Sequence, residues 1–446
     1  MIFCTSGFAE ERAEGGRSVL MFVPSPSLSP QPGSGRPKSK VFCNGFKRII
    51  VTPVIILISF IVSGQQTCLE GKEKVPRIVG IERLDDTAIL NVGNGDNFHM
   101  TWATDGRQFT GLCDGTGFKI PNDTGEYNNT RVYTIHGDAP RHHFEYLKTY
   151  PFLGQVGRFY GFGILAIDEH VYQYCSTFLS TPGGSKPLTM FIGAKLTYSP
   201  DNGKSWRNQD GTPLHWEGWE DRNSDNMVFW KEPDGAFSLL TILQMGRNYE
   251  DNRDGYVYVY APNGYTVGTM NQLVMFRVPK EKILDRSAYE YFVSRNPDGT
   301  AKWNSKITGR LPVHTFPSGW VNTNSGNHPY AWHPSVVYIK PLGQYMMTTW
   351  GTGEDKGEDV KKTPREKWFP KLNYLGFWTA PQPWGPWTQI HEDTAWIVNG
   401  DKENRNYQPQ ISPKWIAPDG KSFWLVWTNF RGGYAFNCQK VLIKTE

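Results

Sequence analysis

The feature that most narrows what this chain can fold into is a hairpin signature that returns five times: an apolar strand, a tight turn, then a second apolar or aromatic strand. It reads "MTWATDGRQFTGL", "FGILAIDEHVYQYC", "MVFWKEPDGAFSLLTIL", "SVVYIKPLGQYMMTTW" and "KWIAPDGKSFWLVW", with turns near Asp105, Asp168, Asp234, Leu342 and Asp419. Three of these turns carry Asp-Gly, which tolerates positive φ and is a strong short hairpin signal. A second hairpin follows several of them, in "AKLTYSPDNGKSW", "YVYVYAPNGYTVGTMNQLVMFRV" and "YLGFWTAPQPWGPWTQI". Two hairpins make a four-stranded unit, and units repeated in this way close into a ring of blades. The expected fold is therefore all-β, a five-bladed β-propeller with four-stranded antiparallel blades. A six-bladed ring would need strands hidden between Asp234 and Leu342, and a β-sandwich explains the recurrence less well. The last strand, "YAFNCQKVLIK", is expected to close the ring beside "TAILNV", and "PKEKILDRSAYEYF" is the best short helix.

The 17 Trp, 21 Tyr and 25 Phe among 446 residues agree with half-buried pleated surfaces. Ahead of the repeats, "FKRIIVTPVIILISFIVSGQQ" places Lys47 and Arg48 before an apolar run and ends it with Val62-Ser63-Gly64. That is the layout of a secretory signal rather than a membrane span. The expected organisation is an over-extended or disordered segment over 1–40, a signal peptide over 41–64 and one propeller domain over 65–446. It implies a secreted or periplasmic protein with no stable membrane insertion once the signal is removed. Without residues 1–64 the chain has 40 Lys/Arg and 40 Asp/Glu instead of 47 and 43. No basic stripe remains for phosphate neutralisation, which argues against nucleic acid. Cys68, Cys113, Cys175 and Cys438 lack zinc-site spacing; a Cys113–Cys175 disulfide or free buried thiols are both compatible with it.

In a propeller the innermost strands line a central funnel, where residues distant in sequence converge. The expected inner strands start at "GDNFHMTWA", "GRFYGFGILAI", "SDNMVFWKEP", "HPYAWHPSVVYI" and "NYQPQISPKWI". They bring Asp96, Trp102, Arg158, Asp225, His328, His333, Gln408 and Gln410 toward that funnel. Carboxylates, amides and imidazoles beside many aromatic rings make a sugar-binding inventory. Glycoside hydrolysis needs two carboxyls flanking the bond, one giving a proton and one acting as base or nucleophile. In "GDNFHMTWATDGRQFTGLCDGTGF" the turn at Asp105-Gly106 folds the chain back, so Asp96 and Asp114 reach one rim and Asp105 the other. Asp96 is taken as base or nucleophile and Asp114 as general acid, although Gly-Asp-Asn and Asp-Gly also suit turn formers.

Two stretches carry resemblances. "SPDNGKSW" fits the Asp-box of sialidase-like propellers, which gives Asp201 and Trp206 structural roles. The opening motif, "YSPDNGKSW", "RDGYVYVYAPNG" and "YAFNCQKVLI" together resemble the exported propellers of domain of unknown function 4185, part of which is glycoside hydrolase family 183, the endo-D-arabinanases. The resemblance implies export and cleavage of an arabinofuranose-type polymer by two aspartates. These fall on Asp96 and Asp114, with Asp254 a further funnel acid. Phe98, His99 and Cys113 depart from the pattern.

The leading expectation is thus an exported glycoside hydrolase acting as a monomer on an arabinan-like polysaccharide or oligosaccharide. No cofactor and no metal ligands are assigned, though a structural calcium or sodium ion could sit in the funnel. A non-catalytic glycan-binding propeller, or a lyase using Arg158 and His333, are the alternatives.

Overall fold

The computed structural model describes residues 76–154, 157–178, 191–264, 271–317, 332–352, 372–431 and 433–446. The expected leader, Cys68 and His328 lie outside them. The described chain is all-β, and its short helices are 3₁₀ turns. Five antiparallel sheets form a five-bladed propeller, mostly with four-stranded blades.

In blade 1, Asn94–Asp96 and Met100–Trp102 both pair with Gln108–Gly117, followed outward by Arg131–His136 and His143–Tyr146. Blade 2 runs Tyr160–Ile167, His170–Phe178, Phe191–Ser199 and Arg207–Asn208. Blade 3 begins with the short Thr241–Ile242 and continues through Tyr256–Pro262, Gln272–Pro279, Glu290–Arg295 and Ala301–Asn304. Blade 4 is Ser335–Ile339, Gln344–Gly351, Tyr374–Ala380 and Thr388–Asp393. Blade 5 is Tyr407–Ile411, Ser422–Phe430 and Tyr434–Thr445, completed by the first described strand, Ile78–Val92. The expected closure therefore holds: Ile89 pairs with Cys438 and Val92 with Phe436. Building blade 5 from strands at both ends of the domain locks the ring shut, and each blade keeps only short edges.

Four of the five expected turns join an inner strand to its neighbour. The third does not. Asp234 and Gly235 do form a tight turn, at φ +59° and +71°, but the strand before it, Phe229–Trp230, pairs with Phe191–Ser199 of blade 2. The inner strand of blade 3 is Thr241–Ile242, and its turn is the loop from Gly246 to Gly255. Sequence shows that two apolar runs flank a turn; it does not show that they pair with each other. The long interval after Asp234 extends blade 3 outward instead of adding a sixth blade, and "PKEKILDRSAYEYF" forms two 3₁₀ turns and a strand.

Apolar clusters lie between consecutive blades, and polar stitches fix their spacing. Thr101 accepts from the Ala166 amide at 2.8 Å, the Gln244 amide donates to Val336 O at 2.9 Å, and Ser335 Oγ accepts from Ile411 N at 3.0 Å. Cys113, Cys175 and Cys438 are buried free thiols. The Cys113–Cys175 disulfide is therefore absent: Cys113 faces the Gly161 carbonyl at 3.9 Å and Cys175 faces the Tyr150 hydroxyl at 3.7 Å.

Candidate active site in the funnel

The strand register sends the three aspartates of blade 1 to different places. Asp96 stands opposite Cys113, the residue before Asp114, whereas Trp102 pairs with Gln108 across the Asp105 turn. Gly95 and Gly115 permit the close crossing. A Cβ at Gly95 would lie 2.5 Å from the Leu112 side chain, and one at Gly115 would lie 2.1 Å from Asn94 O. The sequence thus needs glycine beside each carboxylate for a steric reason.

Five elements assemble the bowl above this crossing. Tyr160, Phe162, Phe178 and Phe191 come from blade 2, Leu239 from the segment entering blade 3, Trp332 and Trp350 from blade 4, and Tyr407 from blade 5; with Cys113 they form one buried cluster. Tyr434 and Phe430 pack against it. Asn97, Asp114, His333 and Gln408 all have φ between +44° and +59°. Left-handed backbone at non-glycine residues costs roughly 1–3 kcal/mol each and persists where the surroundings over-determine it, often at functional sites.

The two carboxylates have unequal partners. Asp96 is 6% exposed; its Oδ2 accepts from the Tyr407 hydroxyl at 2.9 Å, and its Oδ1 has no hydrogen-bond partner. Burial, then the nearby Asp114 charge, pushes its carboxyl well above the usual carboxylate range, against the opposing pull of Tyr407 and Asn97. Asp114 is half-buried and is also raised by burial, but more groups hold its charge: Asn129 donates to Oδ1, Tyr127 and Tyr160 hydrogen-bond to it, and the Arg158 guanidinium lies close enough to favour ionisation. Arg222 fixes the backbone of Arg158 by donating to its carbonyl at 3.0 Å while stacking on Phe159 and Trp219.

Beneath the bowl is a narrow channel lined by His99, Thr241, Gln244, Ser335 and Gln410, which brings in every blade except the second through polar groups. Burial holds His99 neutral by lowering it to about 3, and its ring meets that of His333 edge-on at 4.9 Å. Imidazole, hydroxyl and amide groups without a carboxylate are a poor set for calcium, which takes six to eight oxygens. Away from the funnel, His136, His143 and Glu145 on the outer strands of blade 1 have potential ligand atoms within 4.8 Å of one another.

The structure therefore brings together Asp96, Asp114, Arg158, His333 and Gln408. Trp102 and Asp254 belong to the opposite rim. The loop holding Asp254 is tied there through Arg247, which donates to Thr104 O at 3.0 Å beside the Asp105 turn. Asp225 occupies an exposed turn on the outside of blade 2, because Phe229–Trp230 is not an inner strand. Asp201 also lies on the turn rim, where its carboxylate accepts from Ser205 N at 2.8 Å and Ser205 Oγ at 2.6 Å, and Trp206 packs against Tyr150. Sequence reasoning did not select Tyr127, Asn129, Tyr160, Trp332, Trp350 or Tyr407. Tyr407 adjoins the selected Gln408, but regular alternation would have turned it away from the funnel; the register shift between Tyr407 and Gln410, with Gln408 at φ +55°, breaks that alternation.

The class defined so far is a five-bladed propeller with two acidic side chains at an aromatic-walled funnel. No family model matches the chain, and no curated protein matches it in sequence. Among solved structures, the chain is similar to the catalytic domain of the Coprinopsis cinerea GH62 alpha-L-arabinofuranosidase at 12% identity and TM-score 0.40, covering 82% of this chain and 92% of that one. It is likewise similar to the endo-arabinase from Bacteroides thetaiotaomicron VPI-5482 at 9% identity and TM-score 0.40, covering 80% and 98%. The GH43_1 enzyme from Xanthomonas citri complexed with xylotriose gives 12% identity and TM-score 0.40, covering 80% and 89%. These likenesses are too distant to transfer a residue role or a substrate. Among the described residues, no helix is long and apolar enough to cross a membrane.

Proposed function

We propose that the protein is an exported glycoside hydrolase that cleaves a furanose- or pentose-containing, arabinan-like polysaccharide in the funnel, with Asp96 and Asp114 as its two carboxyls. The observation that carries the reading is the unequal buried pair: two like-charged groups at one rim, one poorly solvated and the other surrounded by donors. Two adjacent carboxyls cannot both ionise freely, so their environments divide the acid and base roles. Asp96, with an orphaned oxygen and a single tyrosine donor, is the group that keeps its proton. Asp114, facing Asn129, Tyr127 and Arg158, is the group that stays ionised. This reverses the roles expected from sequence: Asp96 protonates the leaving glycosidic oxygen, and Asp114 activates water or attacks the anomeric carbon. Tyr127, 58% exposed beside Asp114, and the partly buried Phe430 and Tyr434 supply ring faces for the C–H side of a sugar, with the buried Tyr160, Trp332, Trp350 and Tyr407 packed behind.

Reducing-end release from arabinan, arabinogalactan and xylan by the purified chain tests the reading. Release that disappears in both Asp96→Asn and Asp114→Asn is the expected result. Glycan retention without release would favour a binding propeller, and an ultraviolet-absorbing unsaturated product would favour a lyase; either would overturn the proposal.

A further inference from the structure

Away from the funnel, the outer hairpin of blade 1 carries a second set of converging groups. Arg131–His136 pairs with His143–Tyr146 so that His136 stands directly opposite His143, and Thr134 opposite Glu145. Residues two apart on a strand share a face, so these four make one two-by-two patch. The register is held from the other face, where Ile135 and Phe144 are buried opposite each other and Phe144 stacks on Phe118 at 3.8 Å. A one-residue slip of the outer strand would turn Phe144 out of the core, so apolar packing fixes where the polar groups stand.

Three donor atoms meet above this patch. Glu145 Oε2 lies 3.3 Å from His136 Nε2, and Glu145 Oε1 lies 3.8 Å from His143 Nε2; one ligand atom from each residue falls within 4.8 Å of the others. Zinc bonds of about 2.0–2.2 Å at tetrahedral angles separate ligands by about 3.3–3.6 Å. One pair already has that spacing, and rotation of exposed side chains brings in the third atom. All three side chains are open to solvent: His136, His143 and Glu145 are 31%, 64% and 59% exposed. His136 also forms part of the wall of a surface depression of about 420 Å³. Thr134 Oγ1 lies 3.0 Å from His136 Nε2, a contact that a metal bond to the same nitrogen would replace.

Charge balance narrows the ligand. Among the described residues Glu145 has no lysine or arginine partner; its ion-pair partners are the two imidazoles. Those rings stack at 5.2 Å with 18° between their planes. Two imidazoliums at that distance repel, whereas two neutral rings leave the carboxylate charge uncompensated and present their own lone pairs. A divalent cation satisfies all three groups at once. Arg107, which shares the depression with His136, does not compete for Glu145, because it donates to Asp105 and to Asn202 O, each at 2.6 Å. Two imidazoles and one carboxylate suit zinc, whereas calcium takes six to eight oxygens. We infer that His136, His143 and Glu145 form a zinc site on the outer hairpin of blade 1, with three protein ligands leaving one position for water. The site shares no residue with the funnel and does not depend on the hydrolase reading.

The test is a calorimetric titration of the purified chain, carrying no added histidine tag, with zinc chloride at about pH 7.5, above the ordinary histidine value. Cobalt chloride, titrated in parallel, reports the ligand geometry through its visible absorption, and calcium chloride is the control. His143→Ala removes an exposed ligand without touching the core, and Glu145→Gln removes the anionic one. The expected result is one equivalent of zinc that either substitution weakens by about tenfold or more, with four-coordinate cobalt absorption that fades in the same variants. No zinc binding, or zinc binding that both variants retain at native affinity, would overturn the inference. A calcium equivalent of the same strength, lost in the same variants, would overturn the assignment to zinc.

Discussion

At the turn rim of the ring, Asp105 accepts from Arg107 Nε at 2.6 Å and Asn202 Nδ2 at 2.7 Å, and Asp201 accepts from Ser199, Ser205 N and Ser205 Oγ. At the funnel rim, Asp96 has one side-chain donor at hydrogen-bonding distance and a carboxylate for a neighbour. The residue type is the same and the physical state is opposite. Side-chain and backbone donors hold Asp201 below the usual carboxylate range despite its partial desolvation, whereas burial drives Asp96 above it. A carboxylate surrounded by its own turn serves the fold; one left short of donors beside a like charge is poised to move a proton.

The largest effect that could break this contrast is on turnover. Asp96→Asn and Asp114→Asn are each expected to lower kcat by about 10²–10⁴-fold or more, the range of a positioned acid or base, measured as reducing ends released. Stability should move the other way for Asp96. Its folded carboxyl lies above its unfolded value, so the native chain has its full share of stability below the ordinary carboxylate range and loses it as pH rises toward the folded value. Asn cannot ionise, and the melting temperature of Asp96→Asn should gain on the native chain as pH climbs from 4 to 7. A difference between variant and native chain that stayed constant over that interval, or moved against the variant, would contradict the buried-acid assignment.

Tyr407→Phe sharpens the division of roles. It removes the hydroxyl that stabilises ionised Asp96, and a hydrogen bond to a charged group is worth about 1.5–3 kcal/mol, or roughly one to two pH units. With Asp96 as the acid, the alkaline limb of the kcat/KM profile should move upward by that amount. Movement of the acid limb instead would give Asp96 the base role expected from sequence.

Asp201→Ala probes the other rim. It deletes the acceptor for Ser205 N and Ser205 Oγ and should cost about 1–3 kcal/mol in urea unfolding, with kcat unchanged. A fall in activity at constant stability would mean that this turn takes part in the chemistry.

How much of this was legible in the sequence follows from which interactions are local. Hairpin turns at Asp105, Asp168, Leu342 and Asp419 were readable because an inner strand and its neighbour are joined by a few residues with turn chemistry. Asp96 and Asp114 were separable from Asp105 because one hairpin relates them. Blade 3 escaped because its inner strand has only two paired residues, Thr241–Ile242, too short for alternation to register. Asp225 was misplaced for the same reason, since its assignment depended on where that blade begins, whereas Asp254 was placed by the family resemblance alone. The tyrosine from blade 5 that meets Asp96 lies 311 residues away, and no spacing rule reaches across a ring closure.

Asp254→Asn gives the smallest expected effect and the most direct test of the rim assignment. The resemblance to an exported hydrolase family put Asp254 in the funnel; the structure puts it on an exposed turn, accepting from the Tyr258 hydroxyl and from Tyr256 N at 3.1 Å. Asparagine keeps one acceptor oxygen for Tyr256 N, presents its amide NH2 to the Tyr258 hydroxyl oxygen in place of the second acceptor, and removes a charge that lies mostly in solvent. Surface changes of this kind stay within about 0.5 kcal/mol, and kcat/KM on the proposed substrate should remain within about twofold because no group near Asp96 or Asp114 is altered. Matched urea curves and initial rates measure both quantities. A tenfold loss of turnover with an unchanged unfolding midpoint would mean that the acid needed for catalysis sits at the turn rim, and that the contrast between the two rims has been drawn the wrong way round.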